Sequence, residues 1–330
     1  MIQLIIKDGL GNQMFQYAYA RNILYQCESR GIEEHIAINP YFIQHHMFKD
    51  NDKRDMSLQH FVMNEKVRVL DSQEQISGMK RFKLRCLTAT PLPELLRWRI
   101  KKQKNDSRDV FQYRAKRGLF YTYSAYTNYP APLSTAKDKF IFGFFQTESN
   151  FKDIASVIKQ ELRVKDAPSK KNAEMIDSIK SVNSVCLHIR RGDYLNSRWK
   201  NLQVCTFDYY NNAINEILDR VENPIFFVFS NTHSDIEWIK GNYHFKDNKA
   251  NREIKLIYVD LNNPDYEELR LMYTCNHFII SNSTFSWWGA WLSDNENKVV
   301  CAPTRWNLAD DNDSNIFLSS WIKISGMVSK

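Results

Sequence analysis

The sequence predicts an α/β protein built as two Rossmann-like domains facing a cleft. Three observations lead there. The chain has 330 residues, enough for two domains of ordinary size. Its second half alternates short, continuously apolar runs with amphipathic stretches. That is the pattern of strands buried on both faces of a parallel sheet and of the helices that cover them. Its first half opens the same way, with an apolar run, a glycine turn and a helix.

The elements follow in order. Ile2–Ile6 reads as a buried strand, "GLGNQ" breaks it, and "MFQYAYARNILYQCES" carries apolar residues at helical spacing. His35–Pro40 reads as the next strand, and the stretch from Phe42 to Lys80 as irregular and polar. "PLPELLRWRIKKQK" predicts an amphipathic helix, Lys139–Phe151 a strand with its loop, and "FKDIASVIKQELRV" a helix. The polar run "KDAPSKKNAEM" reads as a linker and sets the domains at 1–167 and 168–330. Beyond it, "SVCLHI", "PIFFVFS", "IKLIYVD", "HFIIS" and "KVVCAP" read as strands, with helices between successive pairs.

Composition excludes several classes. At 43% hydrophobic and 13% aromatic residues the chain is no disordered tract. The first residues lack a basic region and a long apolar core, so no signal peptide is expected, and no run approaches a membrane span. Six cysteines are scattered without a C-x-x-C pair, the usage of reduced thiols in the cytoplasm. Net charge is +7, but Lys80–Arg117 holds 13 Lys/Arg against 3 Asp/Glu. One segment therefore carries the whole excess. That argues against nucleic acid, which calls for a basic face across the fold. It suits either a solvated helical face or peripheral docking on an anionic membrane surface.

Ligands of open parallel sheets sit at the carboxyl ends of strands. Three loops of the second half fall there: "HIRRGDY", Ser230–Thr232 and "SNSTFSWW". Adjacent Arg190 and Arg191 repel each other unless an anion joins them, and guanidinium forks match phosphate oxygens. A helix start carrying Ser283, Thr284 and Ser286 offers hydroxyl and backbone donors to the same anion, though these residues suit simple capping as well. Together the loops point to a diphosphate. Trp287, Trp288 and Trp291 read as core. The N-terminal "GLGNQ" has neither the spacing of a dinucleotide loop nor that of a P-loop. Asp50–Asp52 and Asp311–Asp313 have the spacing of a metal-holding pair but lie in polar loops, and the histidines show no zinc spacing. No metal or cofactor is expected.

Four blocks, "DGLGNQMFQYAYAR", "GFFQTESNF", "HIRRGDY" and "SNSTFSWWGAWL", resemble the α-1,2-fucosyltransferases of glycosyltransferase family 11, in the family's order and across Asp8 to Leu292. The resemblance implies a GT-B-like fold and inverting, metal-independent transfer of L-fucose from GDP-fucose to the 2-hydroxyl of a terminal β-galactoside. By the same resemblance Arg190 binds the donor β-phosphate, with Arg191 its neighbour, His188 near the nucleotide and Asp193 completing the motif. Ser283, Thr284 and Ser286 close on the diphosphate. Gly11, Asn12 and Gln13 lie beside donor and acceptor, and Glu268 takes the place of an Asp suited to guanine. Asp8 stands where the family has a first glycine. Asp193 and Glu148 are the candidates for the acceptor's proton. The donor site falls in the C-terminal domain, and the acceptor is a galactoside-containing oligosaccharide or lipid-linked glycan. Two readings stay open beside this one: another nucleotide-sugar transferase of different linkage, and a non-catalytic carbohydrate-binding module.

Overall fold

A computed structural model describes the chain apart from residues 46–54, 102–106, 193–196, 251–253, 311–312 and 327–330. It divides into two compact units, Met1–Arg163 and Val164–Lys330.

The first unit contains β1 (Ile2–Ile5), α1 (Leu10–Glu28), β2 (Ile36–Asn39), the short α2 (Tyr41–Gln44), β3 (Val67–Val69) and α3 (Ser72–Thr88). It continues through α4 (Leu92–Lys101), α5 (Arg108–Lys116), β4 (Leu119–Tyr121), β5 (Lys139–Phe142) and α6 (Ala155–Glu161). Its five strands are parallel in the order β3-β2-β1-β5-β4. The irregular stretch expected from Phe42 to Lys80 gives way to β3 and α3. The missed signal is a capping box: Asp71 Oδ1 accepts from the N–H groups of Gln73 and Glu74, each at 2.9 Å, and Glu74 accepts from the Asp71 N–H at 3.1 Å.

Helix α1 is buried along most of its circumference, polar Gln13, Gln16 and Arg21 included. Such a helix needs internal partners for its polar groups. Glu161, at the end of α6, is one such partner: its carboxylate accepts from Tyr17 Oη at 2.7 Å, Arg21 Nε at 2.9 Å and Asn64 Nδ2 at 3.2 Å.

The second unit contains α7 (Lys170–Lys180), β6 (Ser184–His188), α8 (Phe207–Arg220), β7 (Ile225–Phe229), α9 (His233–Asn242) and β8 (Leu256–Tyr258). It ends with α10 (Asp265–Thr274), β9 (His277–Ile279), α11 (Thr284–Leu292), β10 (Val300–Pro303) and β11 (Ile322–Ile324). Six parallel strands run β11-β10-β9-β6-β7-β8, the doubly wound order in which the chain starts centrally, moves to one edge and returns to the other. Much of the stretch read as a linker is helical: Ser169 Oγ accepts from Asn172 N at 3.3 Å and opens α7. Val185, Leu187, Phe226 and Val228 are fully buried, packed with Tyr209, Tyr210 and Ile214 of α8. Trp287, Trp288 and Trp291 are core, and Trp287 Nε1 donates to the Ile316 carbonyl at 2.7 Å. All six cysteines are free thiols.

Candidate active site

Both sheets reverse their order beside their first strand, and each reversal opens a crevice at the carboxyl ends of two adjacent strands. In the second unit those strands are β6 and β9. The loops that follow them are "IRRG" and "ISNST". The two motifs read from the sequence are therefore neighbours.

His188 ends β6 and is 3% exposed. Its Nδ1 lies 2.8 Å from Ser281 Oγ, just beyond β9. Burial, aided by the charge of Arg190, pushes the imidazole down to about 3, so the ring is neutral at physiological pH. Arg190 is half-buried and lies two residues after β6. The loop is braced from β7. Ser230 Oγ donates to the Ile189 carbonyl at 2.8 Å, and the Arg191 N–H donates to Asn231 Oδ1 at 3.4 Å. Gly192 has φ +45°, where a Cβ would come within 3.3 Å of Asn231 Nδ2.

The two arginines differ in their surroundings. The Arg191 guanidinium carbon stacks 3.2 Å from the centre of the Trp238 ring, and its Nε lies 3.5 Å from Asp235 Oδ1. Both partners belong to α9. Arg191 is thus held within the protein by two partners, beside Arg190. Asp193 lies outside the described residues.

On the facing loop, Ser283 caps α11: its Oγ accepts from Phe285 N at 3.3 Å. Thr284 is half-buried at the first helical position, where backbone N–H groups are unsatisfied by the helix itself. Ser286 is fully buried, its Oγ 3.1 Å from the Ser283 carbonyl and 3.2 Å from that of Ser281. Its hydroxyl bonds within the turn. Asn282, also buried, ties the turn to the Leu202 and Trp306 carbonyls at 2.8 and 2.9 Å. Glu268 stands half-buried on α10. Burial raises its carboxyl to about 7, Asp260 adds to the rise, and Asn263 opposes it.

In the first unit the crevice lies between β1 and β5. Asp8 has φ +68°, the left-handed conformation that explains a glycine at this position in the family block; Asp tolerates it better than most residues. Gly11 is buried in the first turn of α1. Asn12 Oδ1 accepts from Gln146 Nε2, beyond β5, at 2.6 Å. Gln13 is fully buried, and its amide is spent on the chain: Nε2 donates to the Asp8 and Asp55 carbonyls, both at 2.8 Å, and Oε1 accepts from Ser57 N at 3.2 Å. Gln13 clamps two loops. Phe145, at φ +55°, is the strained residue of this loop; its ring stacks on Tyr19 at 3.8 Å and Asn150 Nδ2 holds its carbonyl at 3.1 Å. Glu148 follows, half-buried in a single 3₁₀ turn.

Sequence reasoning missed Ser281, Gln146, Asp235 and Trp238. Ser281 and Gln146 sit at strand ends and were open to inference once strand order was known. Asp235 and Trp238 lie in an unremarkable helix and carry no signal. Of the Asp pairs, Asp50 and Asp52 lie outside the described residues, as does Asp311. Asp313 is a structural carboxylate, taking Arg305 Nε, Trp306 N and Asn307 N at 3.0, 2.7 and 2.9 Å. Among the described residues, the group spaced to hold a metal is His233, Glu237 and Asp260, all on the surface, with the His233 ring bonded to Asp260.

Two doubly wound parallel sheets in one chain, with an arginine loop beside a hydroxyl-capped helix at the reversal of the second, follow the GT-B plan. A variant of Arabidopsis thaliana FUT1 in complex with GDP shares that fold at a TM-score of 0.50 and 11% identity, over 93% of this chain and 71% of the other. The chain belongs to glycosyltransferase family 11, whose sequence model matches residues 1–325. An α-1,2-colitosyltransferase of Escherichia coli is 31% identical over 312 residues, 91% of this chain and 90% of the relative. Galactoside α-(1,2)-fucosyltransferase 1 of Homo sapiens is 28% identical over 154 residues, 44% of this chain and 39% of the relative.

Proposed function

We propose that this glycosyltransferase moves L-fucose from GDP-fucose to the 2-hydroxyl of a terminal β-galactoside, with inversion and without a metal ion. The observation that carries the reading is the reversal between β6 and β9, which brings the Arg190 loop against the start of α11. When the sugar–phosphate bond breaks, negative charge grows on the leaving diphosphate. A guanidinium and the positive end of a helix dipole, fixed before the reaction, stabilise that charge. Arg190 takes the β-phosphate, and Thr284 with the backbone N–H groups of α11 takes the remaining oxygens. Neutral His188 and Ser281 hold the floor beneath the nucleotide, and Glu268 accepts from the guanine N–H groups. The second unit holds the donor and the first unit holds the acceptor. Asp193 or Glu148 receives the proton of the acceptor hydroxyl. The acceptor is an oligosaccharide or a lipid-linked glycan, and the work is done on the cytoplasmic side of a membrane.

A second reading has its own support. The α-1,2-colitosyltransferase relative suggests colitose, which is fucose without its 3-hydroxyl, as the transferred sugar. GDP release on a panel of β-galactosides, with GDP-fucose or GDP-colitose and EDTA present, decides between them. Acceptor-dependent turnover of GDP-fucose that survives EDTA and collapses in Arg190→Ala is the expected result. Turnover of GDP-colitose alone transfers the reading to colitose. Loss with EDTA removes the metal-free mechanism, and silence with every nucleotide sugar favours a binding module.

A further inference from the structure

We infer that the outer face of α3 and the start of α4 is a docking surface for an anionic lipid bilayer. The inference rests on surface chemistry and does not require the transferase reading. In α3 the inner face is Gln75, Gly78, Met79 and Phe82, all buried. The opposite face carries Ile76, Lys80, Lys83, Leu84 and Leu87, one stripe at helical spacing and all exposed. Leu92 and Leu96 of α4, the next helix in the chain, are exposed as well. Among the described residues the three most exposed large hydrophobic side chains are Leu92 at 66%, Leu84 at 61% and Leu87 at 60%. They lie within one short stretch of a chain whose other exposed hydrophobics are dispersed, and clustered apolar exposure of this kind marks an interaction site.

What covers these leucines is indicated by their neighbours. Lys80 and Lys83 lie in the stripe itself, and Lys80–Arg117 as a whole has 13 basic residues against 3 acidic. Exposed leucines among lysines and arginines match the boundary of an anionic bilayer, where the apolar groups enter the acyl edge and the cations meet phosphate headgroups. Long basic side chains reach outward from such a face while their methylenes stay with the leucines. A nucleic acid would use the cations and leave the leucines exposed. A protein partner would have to set acidic groups around an apolar face to match both features. Among the described residues no helix is long and apolar enough to cross a membrane, so contact through this face is peripheral.

The test is co-sedimentation of the full chain with phosphatidylcholine vesicles, with and without about one third phosphatidylglycerol. Leu84→Asn/Leu87→Asn and Lys80→Glu/Lys83→Glu variants are run beside the parent chain, with thermal melting to confirm that both fold. The expected result is binding to the anionic vesicles only, weakened by salt, and reduced about tenfold or more by either pair of changes. Each variant keeps its turnover on a soluble acceptor, which separates loss of docking from failure of the functional reading. Absence of vesicle binding overturns the inference. So does binding that the leucine changes leave intact, because attraction by charge alone would serve RNA equally well.

Discussion

His188 Nδ1 and Ser281 Oγ meet at 2.8 Å across the reversal of the second sheet. Asn12 and Gln146 meet at 2.6 Å across the reversal of the first. In both units a side chain at or beyond the end of the first strand bonds one beyond the strand to which the chain returns. Adjacent parallel strands are joined by backbone hydrogen bonds only along their paired length. These side-chain ties extend the joint beyond it and fix the width of each crevice.

Ser281→Ala deletes the partner of a buried imidazole nitrogen. We expect a loss of about 1–3 kcal/mol of stability from the unsatisfied group. Urea unfolding measures it. If the tie also sets the crevice, kcat falls while the donor KM changes less, and a variant with full turnover would show that the tie serves stability alone.

Arg190→Ala should lower kcat/KM by about a hundredfold to a thousandfold, the effect of removing one donor to developing charge. Arg190→Lys restores the charge without the fork and should recover only part. Arg191→Ala acts through the loop, so its thermal midpoint falls together with its activity. Initial rates and melting curves on the three variants separate the roles.

Glu268 has a carboxyl raised from 4.5 to about 7 by burial. The native state therefore holds a proton that the unfolded chain releases at lower pH. The stabilising contribution is fully present below pH 4.5 and is lost as pH rises through about 7. Glu268→Gln should remove that slope from the stability profile. Guanine N–H groups bind the carboxylate better than the acid, so donor KM should fall as pH rises through about 7. The Gln variant should lose this dependence as well. A donor KM in the parent chain that is flat from pH 6 to 8 would sink the guanine assignment.

Glu161 gathers Tyr17, Arg21 and Asn64 around a nearly buried carboxylate. Glu161→Ala leaves the Arg21 charge buried without its main partner and should cost about 3–5 kcal/mol. Denaturant unfolding checks it. An Arg21→Met/Glu161→Met double variant should recover much of that loss, because removing both charges also removes their desolvation.

The strands at the middle of the second sheet were legible because they are buried on both faces, which leaves an unbroken apolar run from Val185 to Leu187 or from Phe226 to Phe229. The short strands Val67–Val69 and Ile322–Ile324 were not, being edge strands with exposed residues and no such run. The Arg190 and Ser283 loops were legible as motifs, and their adjacency followed from strand order. The division of labour was not legible. Residue identity cannot separate Arg190 from Arg191, or Ser283 from Ser286, because the difference lies in partners brought from α9 and from carbonyls of the turn. The same holds for Gln13, whose amide looks available in sequence and is spent on loop carbonyls in the fold.

The central place of β1 has a consequence for synthesis. Ile2 pairs with Ile36 on one side and with Lys139 on the other. β1 is made before β5 and thus stays half-covered until β5 has left the ribosome. At about 5–20 residues per second, that interval is on the order of ten seconds. During it the apolar face of α1 and one edge of β1 are open to wrong partners. Growth at lower temperature, or a chaperone that shields the nascent N-terminal segment, should raise the yield of folded enzyme more than any change made to the second unit.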